Sequence, residues 1–183
     1  MATTEKLVTA EELWQMPEPL GGSRYELLEG ELIEMTPAGV RHGEVVLAVG
    51  EILRAFVKKG RTGRVASNDP GILTERDPDT VLAPDLAYWS HERLPESPEG
   101  FAEVAPDLAV EVVSPSDTQK HAQRKVLHYL DHGVRAVWVV DPATETVTVY
   151  CSRQEIRILG KDDEISAPNL LPGFSCRVAE FFE

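Results

Sequence analysis

The segment Asp107–Ser116, with the sequence DLAVEVVSPS, places one acidic residue inside an otherwise apolar run. A run of this kind predicts a β-strand that is covered on both faces of its sheet. Glu111 interrupts it, and burying an ionised carboxylate costs free energy unless the group is paired with a cation or binds a metal. The strand therefore predicts a buried sheet that contains a partner for Glu111.

The apolar periodicity elsewhere predicts three helices. The first begins after Thr9, and the second spans about Val40 to Lys59. The third spans about Thr118 to Asp131, with Ser116-Asp117 as its N-cap. Alternating runs on either side of Glu29-Gly30 predict an N-terminal hairpin. The segment RAVWVVD predicts another buried strand, with TETVTVYC as its hairpin partner. This order predicts an α/β fold of the α+β type, in which a central mixed β-sheet is flanked by helices.

Length and composition favour one domain spanning residues 1–183, with residues 1–22 as an N-terminal helical extension, because 183 residues that are 42% apolar can build one sizeable core. No signal-peptide pattern or apolar run of membrane-spanning length is present in the sequence. The 2 cysteines have neither the spacing nor the companions of a zinc site or a disulfide framework. We therefore expect a soluble, cytoplasmic protein without a membrane partner.

The formal net charge of −13 means that the surface as a whole should repel nucleic acid and anionic membranes. A bound divalent cation would reverse that effect locally, because such an ion can be the largest charge in its pocket. The charge alone therefore disfavours a nucleic-acid partner unless a metal site is present.

A second acid, Asp85, lies in the neighbouring predicted strand LAPDLAYW. The two-residue repeat of a strand puts Asp85 on the face of Ala83 and Ala87, and puts Glu111 on the face of Ala109. These small neighbours leave room for an ion between two carboxylates, with a strand carbonyl and waters completing its shell. Asp107 lies too far along its strand from Glu111 to join them, and we interpret it as structural.

Helix geometry selects the further candidates at about 100° per residue. Lys125 falls about 60° from Ala122 on the apolar stripe of its helix, so it faces the sheet. The same calculation puts His42 in the stripe of the preceding helix, near its N-terminus, which makes it a possible pocket residue. Glu31 shares a strand face with Ile33 and is a second possible pocket residue.

Together these segments resemble the Uma2 (DUF820) family. The resemblance runs from about Tyr25 to the C-terminus and rests on five pieces of sequence: Tyr25-Glu26-Leu27-Leu28-Glu29-Gly30-Glu31-Leu32, Ala83-Pro84-Asp85, Val110-Glu111-Val112-Val113-Ser114-Pro115-Ser116, the helix that carries Lys125, and Val137-Trp138-Val139-Val140-Asp141-Pro142. That family is similar to the PD-(D/E)XK nucleases, which implies a restriction-endonuclease-like core and Mg²⁺-dependent cleavage of DNA, with Mn²⁺ as a substitute.

By this resemblance Asp85 and Glu111 are metal ligands, and the backbone carbonyl of Val112 is a third. The superfamily's usual lysine would stand two residues after the acid, where this chain has Val113. The resemblance then implies that Lys125 takes over as the third catalytic residue beside Asp85 and Glu111. Two carboxylates favour one firmly held ion, with a second at most shared with the substrate phosphate.

Other interpretations of the same residues stay open. Glu111 could be buried because it forms an ion pair with Lys125, and Asp85 could simply belong to a turn at the start of its strand. His42 could be a hydrogen-bonded histidine of the core, and Glu31 could lie at the edge of the hairpin. The whole chain could be a catalytically inactive binding module that keeps a nuclease fold. A glycoside hydrolase with paired carboxylates is the weakest alternative, because no aromatic sugar platform accompanies either acid. Cutting both strands of a duplex would favour a homodimer.

Overall fold

The computed structural model describes residues 7–17, 23–114 and 119–183. The predicted cap at Ser116-Asp117 lies outside these ranges, as does part of the N-terminal extension. The helices are α1 (Ala10–Gln15), α2 (Val40–Gly60) and α3 (Gln119–Asp131), with a 3₁₀ helix at Val178–Phe181. The strands are β1 (Arg24–Leu28), β2 (Glu31–Met35), β3 (Gly63–Ser67), β4 (Ile72–Glu75), β5 (Thr80–Leu82), β6 (Leu86–Ser90), β7 (Leu108–Val112), β8 (Ala136–Asp141), β9 (Thr146–Tyr150), β10 (Ile156–Gly160), β11 (Glu164–Ser166) and β12 (Ser175–Arg177).

The central sheet has the strand order β10-β9-β8-β7-β6-β3, in which β7 and β8 are parallel and the other neighbours antiparallel. It is the predicted mixed sheet. Leu108 and Val110 on one face of β7 pack in a cluster with Val45 of α2. Ala109 on the other face packs with Val126 of α3. The apolar strand is thus covered on both faces, because a helix lies against each.

A second sheet has the strand order β2-β1-β5-β4. Its β1–β2 hairpin is the predicted one, and both of its turn residues adopt positive φ, 53° at Glu29 and 81° at Gly30. Leu27 of β1 pairs with Val81 of β5, a contact between distant segments that local alternation does not reveal. This pairing fixes β1 beside the segment that leads into β6.

The helices begin and end close to their predicted bounds. Thr9 and Glu12 form a capping box at the start of α1, which satisfies backbone amides that would otherwise lack acceptors. α2 includes Gly60 and ends with Arg61 in the left-handed conformation. Strand β10 was not predicted, and its first three residues are exposed. Within the described residues, no helix combines the length and the apolarity that crossing a bilayer requires.

Candidate active site

The β6–β7 pairing brings the two predicted acids together. Ala87 lies opposite Ala109 and Leu86 lies opposite Val110 in this antiparallel register. Continuing the register by one residue beyond Leu86 and Val110 places Asp85, just before β6, across from Glu111. The amide of Val112 donates a 2.7 Å hydrogen bond to Oδ2 of Asp85, which closes the end of the strand pair. A backbone hydrogen bond therefore holds the Asp85 carboxylate beside Glu111.

Lys125 of α3 occupies the centre of the site. Its Nζ lies 2.8 Å from Oε1 of Glu111 and also 2.8 Å from Oε1 of Glu26 on β1. It lies on the inward side of α3, whereas Lys120 and Arg124 are exposed. The ion pair that could account for Glu111 is therefore present, and it joins strands from both sheets through one lysine.

Glu26 is a site residue that the sequence analysis did not single out. Its side chain is only 2% exposed, and Oε1 also accepts a hydrogen bond of 3.0 Å from the amide of Ala83. The second oxygen, Oε2, lies 3.8 Å from Nε2 of His121. A signal was available: the two-residue repeat puts Glu26 on the face of the buried Leu28, the same conflict that identified Glu111.

Tyr129 is the other site residue whose polar contact the sequence analysis did not predict. Its hydroxyl donates a 2.8 Å hydrogen bond to Oε1 of Glu111, although the ring itself belongs to the apolar cluster under α3. The helical stripe predicted its burial and could not predict the contact, because a tyrosine in a stripe counts simply as apolar.

The structure brings His42 into the site and leaves Glu31 outside it. Nε2 of His42 lies 3.2 Å from Oδ1 of Asp85, with 12% and 13% of the two side chains exposed. Glu31 is exposed at the start of β2 and does not line the cleft. The difference arises because Glu31 lies at the exposed turn end of β2, whereas α2 packs against the central sheet and brings His42 to Asp85. Asp107, interpreted as structural, accepts a 2.7 Å hydrogen bond from the Ser90 amide.

The electrostatics of the site follow from a buried lysine between two carboxylates, Glu111 and Glu26, with the charge of Asp85 also acting on Glu111. Burial raises the pKa of Glu111 to about 7, with the nearby charges of Asp85 and Glu26 adding to the effect against the pull of Lys125. Burial acts in the same direction on Glu26, but the charge of Lys125, the imidazole of His121 and the hydrogen bonds to Oε1 outweigh it and lower its pKa to about 2. Burial opposes the charge of Lys125, yet Glu111 and Glu26 raise its pKa well above the ordinary value. Glu26 thus keeps the lysine charged, and Glu111 is the acid that protonates first.

These groups lie in a cleft of about 720 Å³. Its walls come from both sheets and both long helices, and include Asp85, Glu111, Val112, Lys125 and His42. Both described contacts of the Glu111 side chain use Oε1, so an ion held through Oε2 would displace neither. Two oxygen-donor side chains and a strand backbone are ligands that suit Mg²⁺ or Mn²⁺. The donor set therefore fits a hard divalent cation.

Comparisons with known proteins agree with this geometry. Residues 10–179 match the sequence model of the Uma2 family, described as "Putative restriction endonuclease". A crystal structure of a "putative nuclease belonging to DUF820" from Anabaena variabilis superposes with a TM-score of 0.80 at 25% sequence identity, covering 96% of this chain and 97% of the other. Among curated proteins, none matches the sequence.

Proposed function

Because this chain belongs to the Uma2 family and has the fold of a DUF820 nuclease, we propose that it is a Mg²⁺-dependent endonuclease that hydrolyses DNA phosphodiester bonds. The observation that carries the proposal is the meeting of Asp85, Glu111 and Lys125 in one cleft. These residues come from three segments, and all three were selected from the sequence by their side-chain direction. Acids and a lysine in such an arrangement can hold a cation and stabilise a phosphate.

Asp85 and Glu111 would hold the ion, together with the backbone carbonyl of Val112. When bound, Mg²⁺ supplies a Lewis acid for a phosphate oxygen and lowers the pKa of a bound water. The hydrogen bond from the Val112 amide fixes one oxygen of Asp85, so the carboxylate is oriented before any ion arrives. Such orientation lowers the reorganisation that metal binding requires.

Lys125 would orient the attacking water and stabilise the negative charge that develops on the phosphate. Val113 occupies the position at which the superfamily usually has its lysine, and Lys125 of α3 supplies the ammonium group beside Glu111 instead. The pKa of Lys125 is raised by Glu111 and Glu26, so the group acts as a fixed cation and does not remove protons at neutral pH. Glu26 is then the residue that positions Lys125.

Cations in the cleft would also reduce the repulsion of DNA that the net charge of −13 causes. Arg24 and Arg54 line it in addition to Lys125, and both can contact phosphate oxygens. Together with a divalent ion they would balance the five acids that also line the cleft, Glu26, Glu51, Asp69, Asp85 and Glu111, and so remove the local repulsion of a DNA strand. The proposal includes a homodimer for cleavage of both strands of a duplex and a cytoplasmic location.

The test is incubation of purified protein with supercoiled plasmid and Mg²⁺ or Mn²⁺, followed by electrophoresis for nicked and linear products. Glu111→Gln should abolish cleavage, and Lys125→Met should reduce it by about 10²-fold or more. Glu96→Gln changes an exposed acid outside the cleft and should cleave like the wild type. Loss of activity on removing the ion with a chelator should accompany these results. Cleavage that persists in Glu111→Gln would overturn the proposed site.

A second interpretation, a binding module without turnover, is favoured by the closed ion-pair network and the acidic surface. Metal binding measured by calorimetry separates the two interpretations. A nuclease site should take up Mn²⁺ in the wild type and lose that uptake in Glu111→Gln. A chain that binds DNA but neither takes up Mn²⁺ nor cleaves would support the binding module.

A further inference from the structure

Two histidines and a glutamate form a second cluster outside the cleft. His128 and His132 are four residues apart on α3, so they share a helix face, and their rings stack with centroids 3.8 Å apart. Glu75 is the last residue of β4. One potential ligand atom from each of the three residues lies within 4.8 Å of the other two, and no other such trio occurs among the residues that the structure describes.

The hydrogen bonds of His132 leave a lone pair directed at Glu75. Its Nδ1 lies 2.8 Å from the carbonyl oxygen of His128, which can only accept, so Nδ1 carries the hydrogen and donates it. In the neutral ring Nε2 is then the acceptor, and it lies 3.4 Å from Oε2 of Glu75. Two acceptors that face each other repel, and either a proton on Nε2 or a metal ion between them removes the repulsion.

The distance between His132 and Glu75 fits a tetrahedral ion. Zinc bonds of about 2.0–2.1 Å to nitrogen and carboxylate oxygen place two ligand atoms about 3.3 Å apart at the tetrahedral angle. The 3.4 Å between Nε2 of His132 and Oε2 of Glu75 matches that distance. A histidine ligand whose other nitrogen donates to a backbone carbonyl is the usual arrangement at zinc sites, because it fixes both tautomer and ring direction.

His128 is held in a comparable way. Its Nε2 lies 2.7 Å from the hydroxyl of Thr74 on β4, which leaves Nδ1 as its second nitrogen. Because the stacked rings are only 18° from parallel, the in-plane lone pairs of both histidines cannot meet at one ion as the rings lie, so ligation by His128 would turn its ring out of the stack. Two imidazoles and one carboxylate form a donor set for Zn²⁺ or a similar borderline ion, whereas Mg²⁺ prefers oxygen ligands. The ligands would come from α3 and β4, so an ion there would fasten the helix to the second sheet.

We propose that Glu75, His128 and His132 bind a zinc-class divalent ion at a site separate from the nuclease cleft. None of the three residues lines that cleft. His128 follows Lys125 by three residues, about one turn along α3. The ion would therefore have a structural role, holding in place the helix that presents Lys125.

The test is titration of metal-free protein with Zn²⁺ by calorimetry, and with Co²⁺ by visible absorption, in a Glu111→Gln background that removes one of the two carboxylates proposed to hold the ion in the cleft. We expect one ion per chain and the intense visible bands of tetrahedral Co²⁺. His132→Gln should weaken Zn²⁺ binding by about tenfold or more. Glu75→Gln, on a different element and with 43% of the side chain exposed in the wild type, should do the same without endangering the fold.

His91→Gln is the matched control, because His91 is an exposed histidine outside the cluster. It should bind Zn²⁺ like the background protein. Equal affinity in His91→Gln, His132→Gln and Glu75→Gln would overturn the proposal, as would the absence of any Zn²⁺ uptake at micromolar concentration. Both outcomes leave the nuclease proposal untouched, since that depends on Glu111 and Mg²⁺.

Discussion

The ammonium group of Lys125 lies 2.8 Å from Oε1 of Glu26, a residue 99 positions earlier in the chain. This contact joins α3 to β1 and has almost no exposure to solvent, with 6% and 2% of the two side chains exposed. A buried charge that loses its partner is costly, and the pair therefore contributes to stability as well as to the site.

Lys125→Met should lower the free energy of unfolding by about 3–5 kcal/mol, because it leaves Glu26 buried without its cation. Urea unfolding followed by circular dichroism measures the change. Glu26→Gln should cost less, since the amide oxygen can still accept from Ala83 and Lys125 keeps Glu111. The double variant should be more stable than Lys125→Met alone, and simple additivity of the two changes would contradict the coupling.

Asp85→Asn should remove most Mn²⁺ binding while changing stability by about 1 kcal/mol or less, because the amide oxygen can still accept from Val112. Asp107→Asn is the matched control for Asp85→Asn, because Asp107 is a structural acid whose Oδ1 lies 3.1 Å from Nη1 of Arg135. It should lower stability and leave Mn²⁺ binding intact. Calorimetry and urea unfolding of both variants provide the comparison, and reversed behaviour of the pair would show that the ligands are misassigned.

Metal affinity should depend on pH through Glu111. Burial raises its pKa to about 7 in the metal-free protein, and only the carboxylate form binds a cation. Below pH 7 a proton therefore competes with the ion, and the apparent Mn²⁺ affinity should fall by roughly tenfold per pH unit. Calorimetry between pH 6 and pH 8 tests this. A flat profile in the wild type would show that Glu111 is ionised before the metal binds.

Stability in the presence of a chelator should fall on acidification because of His128. Burial, with the charge of His132, lowers its pKa to about 4 from an ordinary 6.5. Above pH 6.5 the ring is neutral in both states; between 6.5 and 4 only the unfolded chain binds the proton, which favours unfolding. His128→Gln should flatten the decline in unfolding free energy between pH 7 and pH 5. His91→Gln should keep the wild-type slope.

Two glycines should respond in opposite ways to alanine. A Cβ at Gly63 would lie 2.0 Å from the backbone oxygen of Trp89, so Gly63→Ala should destabilise the protein by about 1–3 kcal/mol. A Cβ at Gly43 in α2 meets nothing within 4 Å, and Gly43→Ala should stabilise by about 0.5–1 kcal/mol. Thermal unfolding measures both changes. Equal effects would mean that β3 does not approach β6 this closely.

The sequence alone predicted much of the framework, because hydrophobic periodicity depends only on neighbours along the chain. It predicted that β7 is covered on both faces, that a hairpin turns at Glu29-Gly30, and that Lys125 faces inward. It also identified Glu111 as a buried acid that requires a partner, since an isolated charge inside an apolar strand is expensive wherever that strand lies.

Only the tertiary structure decided which partners meet. Periodicity gives the face of a residue but not the segment that lies across from it, so Glu26 and the hydroxyl of Tyr129 were found through pairing and packing between distant segments. The same limit applies to the pair of possible pocket residues, of which His42 lies beside Asp85 and Glu31 is exposed. The strand register placed Asp85 across from Glu111, and α3 packing against the sheet brought Lys125 between Glu111 and Glu26.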